Sequence, residues 1–292
     1  MCLDDLNEEK IFPQYLLYFL QQRKLEDVIT GSAQPQITRE GLRKIQIPLP
    51  PLPIQQQIAE VLDTADALRR CTQQQLEALD ELAQGVFLEM FGEIEYSENG
   101  DELREFIKIN HGYAFKSTSF NNEQKGIPVI KIGTVNKGYF DVSGLSFYNG
   151  SITGLNRFII KPGDLLMSLT GTVGKDDYAN LEIASNSFEE YFLNQRVAKI
   201  ELIKGKMHPI FALFLFRQKG VKNHITRLNR GIRQANVSND DIYEFKTRVP
   251  PLPLQTQFAA IITNIEEQKA VLRESLRESE ALFGGLLQRV FG

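Results

Sequence analysis

The feature that most constrains this chain is an internal repeat. Pro50-Pro51-Leu52-Pro53 leads into a long helix-like run ending at Gly92, and Pro250-Pro251-Leu252-Pro253 leads into another ending at Gly292. The copies stand 200 residues apart without a gap and also share Gln55/Gln255, Gln57/Gln257 and Ala59/Ala259. At the far end Gly85, Phe91 and Gly92 recur as Gly285, Phe291 and Gly292. Upstream, residues 31–38 align with residues 231–238. A period this long is not that of a solenoid, so it implies a duplicated unit of a domain plus a helix.

Each proline of the strap fixes its own φ and pushes the preceding residue away from helical angles, so residues 47–53 should run extended, with Pro53 as the first helical residue. Beyond the strap, apolar residues recur at three- and four-residue steps: Ile58, Val61, Ala65, Leu68, Leu79, Leu82 and Val86, with Thr72 and Gln75 interrupting. The second copy gives Phe258, Ile261, Ile265, Leu272, Leu276, Leu282, Leu286 and Val290, with Gln268 polar. A run of about 36 residues at roughly 1.5 Å each is about 54 Å long, more than a compact domain needs. Two such helices in one chain are expected to pack on each other.

Residues 1–47 do not read as a complete domain. Pro13 to Leu20 form an apolar helix pattern that matches residues 209–216 at an offset of 196. Nothing before the first strap corresponds to residues 97 to about 197, so the first copy is expected to lack most of its globular part. A truncation, natural or engineered, or a partner that supplies the missing part would each account for this. The expected organisation is a remnant of a first domain at 1–47, a strap and helix at 48–95, a globular domain at 96–247, and a second strap and helix at 248–292. Within the globular stretch, Ile127–Ile132, Gly163–Thr170 and Arg196–Glu201 read as strands among turn residues, and Pro209 to Lys222 as a helix. The fold class expected is α+β: a strand-rich globular domain flanked by two long helices in an antiparallel coiled coil.

With 42% hydrophobic and 24% charged residues the chain can bury a core. Two cysteines, Cys2 and Cys71, exclude a disulfide framework and a cysteine zinc site and favour a reducing, cytoplasmic home. No apolar run approaches the roughly 20 residues of a membrane span, and the acidic start lacks a signal-peptide pattern. The net charge of -4 hides an uneven distribution: residues 101–240 hold 19 Lys+Arg against 13 Asp+Glu. Between Leu202 and Asn239 stand eight basic residues and no acid. That regional excess suits a polyanionic partner.

Chemistry-bearing motifs are lacking. Gly171-Thr172-Val173-Gly174-Lys175 is not a nucleotide-hydrolysing phosphate loop, because the motif needs Gly at 169 and Ser or Thr at 176, where the chain has Leu169 and Asp176. The turn, with Thr170, Thr172 and Lys175, either approaches a DNA phosphate or is a simple tight turn. His111, His208 and His224 lack metal-ligand spacing, and no catalytic residue, metal or cofactor is assigned. Arg227, Arg230, Arg233 and Gln234 combine phosphate neutralisers with a side chain able to pair with a base edge; the alternative is a charged surface loop. Tyr113, Lys116, Ser117 and Lys131 form a second candidate contact region.

These residues carry a family resemblance. Gly231-x-x-Gln234-x-x-Val237-Ser238, the Pro-Pro-Leu-Pro-Leu-Gln-x-Gln strap and the long helix resemble the specificity subunit of type I restriction-modification enzymes. Gly112 to Ser117, Gly126 to Ile132, Pro162 to Leu166 and Gly171 to Gly174 resemble that family's target-recognition domains. The resemblance implies two recognition domains, each reading one half of a split sequence in double-stranded DNA, with the paired helices as the ruler between them. It implies a non-catalytic subunit, adenine methylation belonging to methyltransferase subunits, and translocation with cleavage to restriction subunits. With only the tail of a first recognition domain, the chain is expected either to direct those partners or, as a truncated or half-subunit, to act as a coiled-coil adaptor. A second copy of itself is a further expected partner.

Overall fold

The computed structural model describes residues 6–30, 35–121, 123–172, 175, 177–227 and 234–292; the side chains of Thr30, Ser117 and Gln234 are outside that description. In chain order the elements are α1 (Pro13–Arg23), β1 (Ile29–Thr30), β2 (Gln36–Ile37), α2 (Arg39–Leu42), α3 (Leu52–Phe91), β3 (Asp101–Glu102), β4 (Ile107–His111), β5 (Phe120–Asn121) and β6 (Ile127–Ile130). There follow α4 (Ile132–Val135), β7 (Ser146–Tyr148), β8 (Ile159–Ile160), β9 (Leu165–Ser168), β10 (Thr170–Thr172), β11 (Leu181–Ile183), β12 (Tyr191–Leu193) and β13 (Val197–Leu202). The chain closes with α5 (Pro209–Arg217), α6 (Lys219–Thr226), β14 (Gln234–Asn236), α7 (Asn239–Tyr243), β15 (Lys246–Thr247) and α8 (Leu252–Phe291). Two compact units divide them, residues 1–82 with 265–292 and residues 83–264.

The long helices α3 and α8 are each 40 residues, about 60 Å at the helical rise. Each begins at Leu52 or Leu252, one residue before the expected Pro53. Prolines at the strap lack N–H groups that the first helical turn would leave unpaired in any case. Gly92, at φ +72°, ends α3 with its N–H on the Leu88 carbonyl at 2.8 Å.

In the first unit the two helices run antiparallel. Leu62 packs with Leu287, the Arg69 guanidinium lies 5.9 Å from the Phe283 ring, and Lys269 reaches Asp80 at 2.6 Å. The seam differs from the periodicity expected. Along α3 the buried residues are Gln55, Ala59, Leu62, Ala65, Asp66, Thr72, Leu76, Ala83 and Phe87. Val61, Leu68, Leu82, Ile261 and Leu282, expected inside, are 40–54% exposed. The alanines explain the rotation: small side chains let helix axes approach, so the seam closes along them and leaves the larger residues on the flank. Gln75 and Gln268 are exposed. The polar interruption consists instead of Asp66, Thr72, Lys269 and Ser279, each with partners: Asp66 takes Arg69 and Arg70, and Lys269 takes Asp80 and Glu266.

The remainder of the first unit packs α1 on this pair. Ile11, Leu16 and Phe19 form a cluster with Ile45, Ile47 and Phe291, and Tyr18 joins Leu62 and Leu287.

The second unit holds two larger sheets. One is four-stranded and antiparallel, ordered β11-β9-β13-β4; the other is five-stranded, ordered β5-β7-β6-β12-β8, with β12 parallel to β6. All four residues of β9 and all three of β12 are buried, as continuous apolar runs become when both faces are covered. Residues 209–222, expected as one helix, are broken at Gln218, whose ψ of 133° is extended, so α5 and α6 are separate. Gly163–Thr170 likewise splits into β9 and β10 around Leu169, and the strand beginning at Ile127 gives way to α4 at Ile132. In this unit Phe87 and Phe91 of α3 meet Phe258 of α8 at 5.5 and 5.3 Å, and Phe211 and Phe214 of α5 close the aromatic cluster.

Candidate nucleic-acid interface

Two stretches separated by some sixty residues come together in one ribbon. Strand β10, which carries the Gly-rich turn, pairs antiparallel with β14, which follows the basic tract: Thr170 faces Asn236, Gly171 faces Ala235 and Thr172 faces Gln234. Leu169, Ala235 and Val237 are buried and anchor the ribbon, and the Val237 N–H donates to the Leu169 carbonyl at 2.9 Å. Thr172 and Asn236 are exposed.

The Lys175 N–H donates to the Thr172 carbonyl at 3.0 Å, and Lys175 is exposed. Asp177 accepts the Thr172 N–H at 2.7 Å and its hydroxyl at 2.9 Å. That N–H is therefore engaged within the turn, and the cation left to meet an anion is Lys175. Gly171 is required because a Cβ there would collide with Asp177 and Tyr178. The Thr170 hydroxyl oxygen is buried without a hydrogen-bond partner among the described residues.

The second candidate region lies at the five-stranded sheet. Tyr113 bridges to Asn194, and its half-exposed ring stands 5.0 Å from Phe115 and 5.2 Å from Phe158. Gly112 permits this approach, since a Cβ would strike the Asn194 backbone. Lys116 is exposed. Lys131 is different: its Nζ donates to the Ser146 hydroxyl at 2.7 Å and lies 4.2 Å from the centre of the Phe120 ring. Burial pushes its ammonium pKa below the ordinary value. Phe120 in turn contacts Phe115, so Tyr113 and Lys131 belong to one aromatic neighbourhood.

Arg227 stands with neither group. It follows the last turn of α6, donates to His224 Nδ1 at 3.2 Å, and lines a cleft with Tyr96, Glu102, Arg104, Glu244 and Lys246. Arg230 and Arg233 lie outside the described residues, as do the side chains of Ser117 and Gln234.

The histidines have local structural partners. His111 Nε2 pairs with Asn239 at 2.8 Å, and His208 caps α5 by accepting the Ile210 N–H. His224 stacks on Tyr96 at 4.3 Å, and burial first, then Arg227, lowers its pKa. Among the described residues no three of His, Cys, Asp and Glu gather as metal ligands.

Asn180 carries no sequence signal, yet it has three partners in the fold. Its N–H donates to the Ser168 hydroxyl at 3.1 Å, its Nδ2 to the Asn136 carbonyl at 3.2 Å, and its Oδ1 accepts from Lys222 Nζ at 2.6 Å. It thereby ties the end of β9, the loop after α4 and helix α6 together near the base of the ribbon. A lone Asn in a loop has no periodicity to mark it.

The architecture defines a class: a strap-and-helix unit present twice, with one α+β domain between the copies. The chain belongs to the family of the type I restriction modification DNA specificity domain, which matches residues 1–81 and 101–279. It is similar to the type I restriction enzyme MjaVIII specificity subunit of Methanocaldococcus jannaschii, 26% identical over 91% of this chain and 66% of that protein. It is also similar to the EcoKI specificity subunit of Escherichia coli, 23% identical over 89% of this chain and 59% of that protein. The chain thus spans about two thirds of the length of such relatives, or less. In fold it resembles the S subunit of the type I restriction-modification system from M. genitalium, with a TM-score of 0.59, 15% identity, and coverage of 98% of this chain and 74% of that one.

Proposed function

We propose that the chain is a non-catalytic specificity subunit that binds duplex DNA through residues 96–247 and brings partner subunits to it. Those partners are methyltransferase subunits that modify adenine and restriction subunits that translocate and cleave, working on DNA in the cytoplasm. The observation that carries this reading is the β10–β14 ribbon, which unites a Gly-rich turn bearing Lys175 with the strand following an acid-free basic tract. In such an interface cations neutralise phosphates and set register, while Gln, Asn and Thr side chains select bases.

An apolar stripe supports the assembly half of the proposal. Ile54, Val61, Leu68 and Leu82 stand at heptad-related spacings along α3 and are 44–53% exposed. Such a stripe beside a closed seam suits further helices of a partner. The same stripe favours the second reading, a coiled-coil adaptor that assembles with partners or with a second copy but does not itself recognise DNA.

Titrating the full chain against a labelled mixed-sequence duplex over a range of salt concentrations separates the two. Specificity-subunit binding gives a steep fall of log affinity with log salt, and Lys175→Ala and Arg227→Ala each reduce the slope by about one. Affinity that is absent, or independent of salt, favours the adaptor.

A further inference from the structure

The two copies of the strap contain the same buried joint. Gln55 and Gln255, one turn into α3 and α8, are both fully buried. Gln255 Oε1 accepts the His208 N–H at 2.8 Å, and its Nε2 donates to the Pro250 carbonyl at 2.7 Å. Gln55 Oε1 accepts the Phe12 N–H at 2.8 Å, and its Nε2 donates to the Pro50 carbonyl at 2.8 Å and to the Lys10 carbonyl at 2.9 Å. Phe12 and His208 are equivalent, each standing immediately before the proline that opens α1 or α5. The arrangement therefore occurs twice, on independent stretches of chain.

A primary amide suits this place because it offers one acceptor and two donors in a fixed plane. Its acceptor takes an N–H that the start of α5 cannot pair within the helix, and its donor takes a carbonyl of the strap. Replacement by an apolar side chain leaves both backbone groups unpaired in a buried setting. The copies differ in what surrounds the joint. In the first unit Tyr15 donates to the Pro48 carbonyl at 3.0 Å and Tyr18 to Asp63 at 2.6 Å, giving α1 further polar ties. Phe211 and Phe214 occupy the equivalent positions in the second unit and have no hydroxyl to offer. Their rings pack against Phe87, Phe91 and Phe258 and make no hydrogen bond there.

We propose that Gln255 is the positioning residue that fixes the α+β domain in one pose on the start of α8, by pinning His208, the residue that caps α5, to the Pro-rich strap. The name recognition domain for what it positions rests on the proposed function; the joint itself does not. Gln55 does the same for α1, with less depending on it.

The test uses the full chain without DNA, so that its outcome is independent of the DNA-binding proposal. Cys2 and Cys71 are replaced by Ser, and spin labels are placed through Lys108→Cys on β4 and Ala260→Cys on α8, both exposed. Gln255→Met is expected to broaden or shift the distance distribution between the labels and to abolish hydrogen-exchange protection of the His208 amide. Amides inside α5 and α8 keep their protection, and a label pair at Gln21→Cys and Glu60→Cys in the first unit reads the same as before. Should Gln255→Met not fold, Gln255→Glu decides: it retains the acceptor for His208 but sets an oxygen against the Pro250 carbonyl. The His208 amide then stays protected while the distribution broadens. A distribution unchanged in either variant, or a His208 protection unchanged in Gln255→Met, overturns the proposal.

Discussion

Glu182 is a carboxylate almost wholly buried on β11, 3.3 Å from the Arg217 guanidinium. Desolvation raises its pKa above the ordinary 4.5, against the opposing pull of Arg217 and Lys222. Between 4.5 and that raised value the folded state holds a proton that the unfolded state has lost. The stabilisation linked to this proton is complete below 4.5 and falls as pH rises through the folded value. Glu182→Gln retains an acceptor for Arg217 and no longer titrates. Urea unfolding over a pH series upward from 4.5 is therefore expected to show a declining stability limb for the native chain that is flattened in the variant. Nothing in the sequence distinguished Glu182 from the solvated acids around it, because its burial is created by α5 packing over β11. Arg227 illustrates the same limit: its residue type made it a candidate, but its placement beside His224 and Tyr96 depends on where α6 ends.

At the scale of elements, the sequence was most legible where a pattern is long or duplicated. The two 40-residue helices follow from the repeat, from prolines at their start and from the glycine after each. The face they present to each other was less legible, because apolar residues lie on two adjacent faces and periodicity alone cannot tell which one closes. Ala59, Ala65 and Ala83 decide it, by allowing close approach. The short strands were harder still. The β10–β14 pairing joins residues far apart in sequence, and neither three-residue strand carries enough alternation to predict its partner. The stripe left outside the seam leads to a prediction. Val61→Glu combined with Leu68→Glu removes only half-exposed side chains, so thermal unfolding should change little, whereas co-purification with a methyltransferase subunit should be lost. Retained co-purification would place that contact elsewhere.

At the scale of the whole molecule, both units repeat one plan: a strap, a buried Gln joint and a short helix packed against the paired long helices. Among the described residues, the second unit alone builds two larger sheets and the ribbon on that plan. The function proposed for the chain therefore rests on a single α+β domain whose candidate contacts, among the described residues, fall in three places: the β10–β14 ribbon, the Tyr113–Lys131 neighbourhood and the end of α6. Base selection by a few polar side chains, each contributing about 1–3 kcal/mol of discrimination, is what this arrangement is proposed to supply. Selection of duplexes from a random-sequence pool by the full chain assembled with a methyltransferase subunit tests that most directly. A shared short sequence is expected to be enriched, and Gln234→Ala to relax the choice at one position within it. A pool that remains random after repeated selection, with the complex intact, would contradict that expectation.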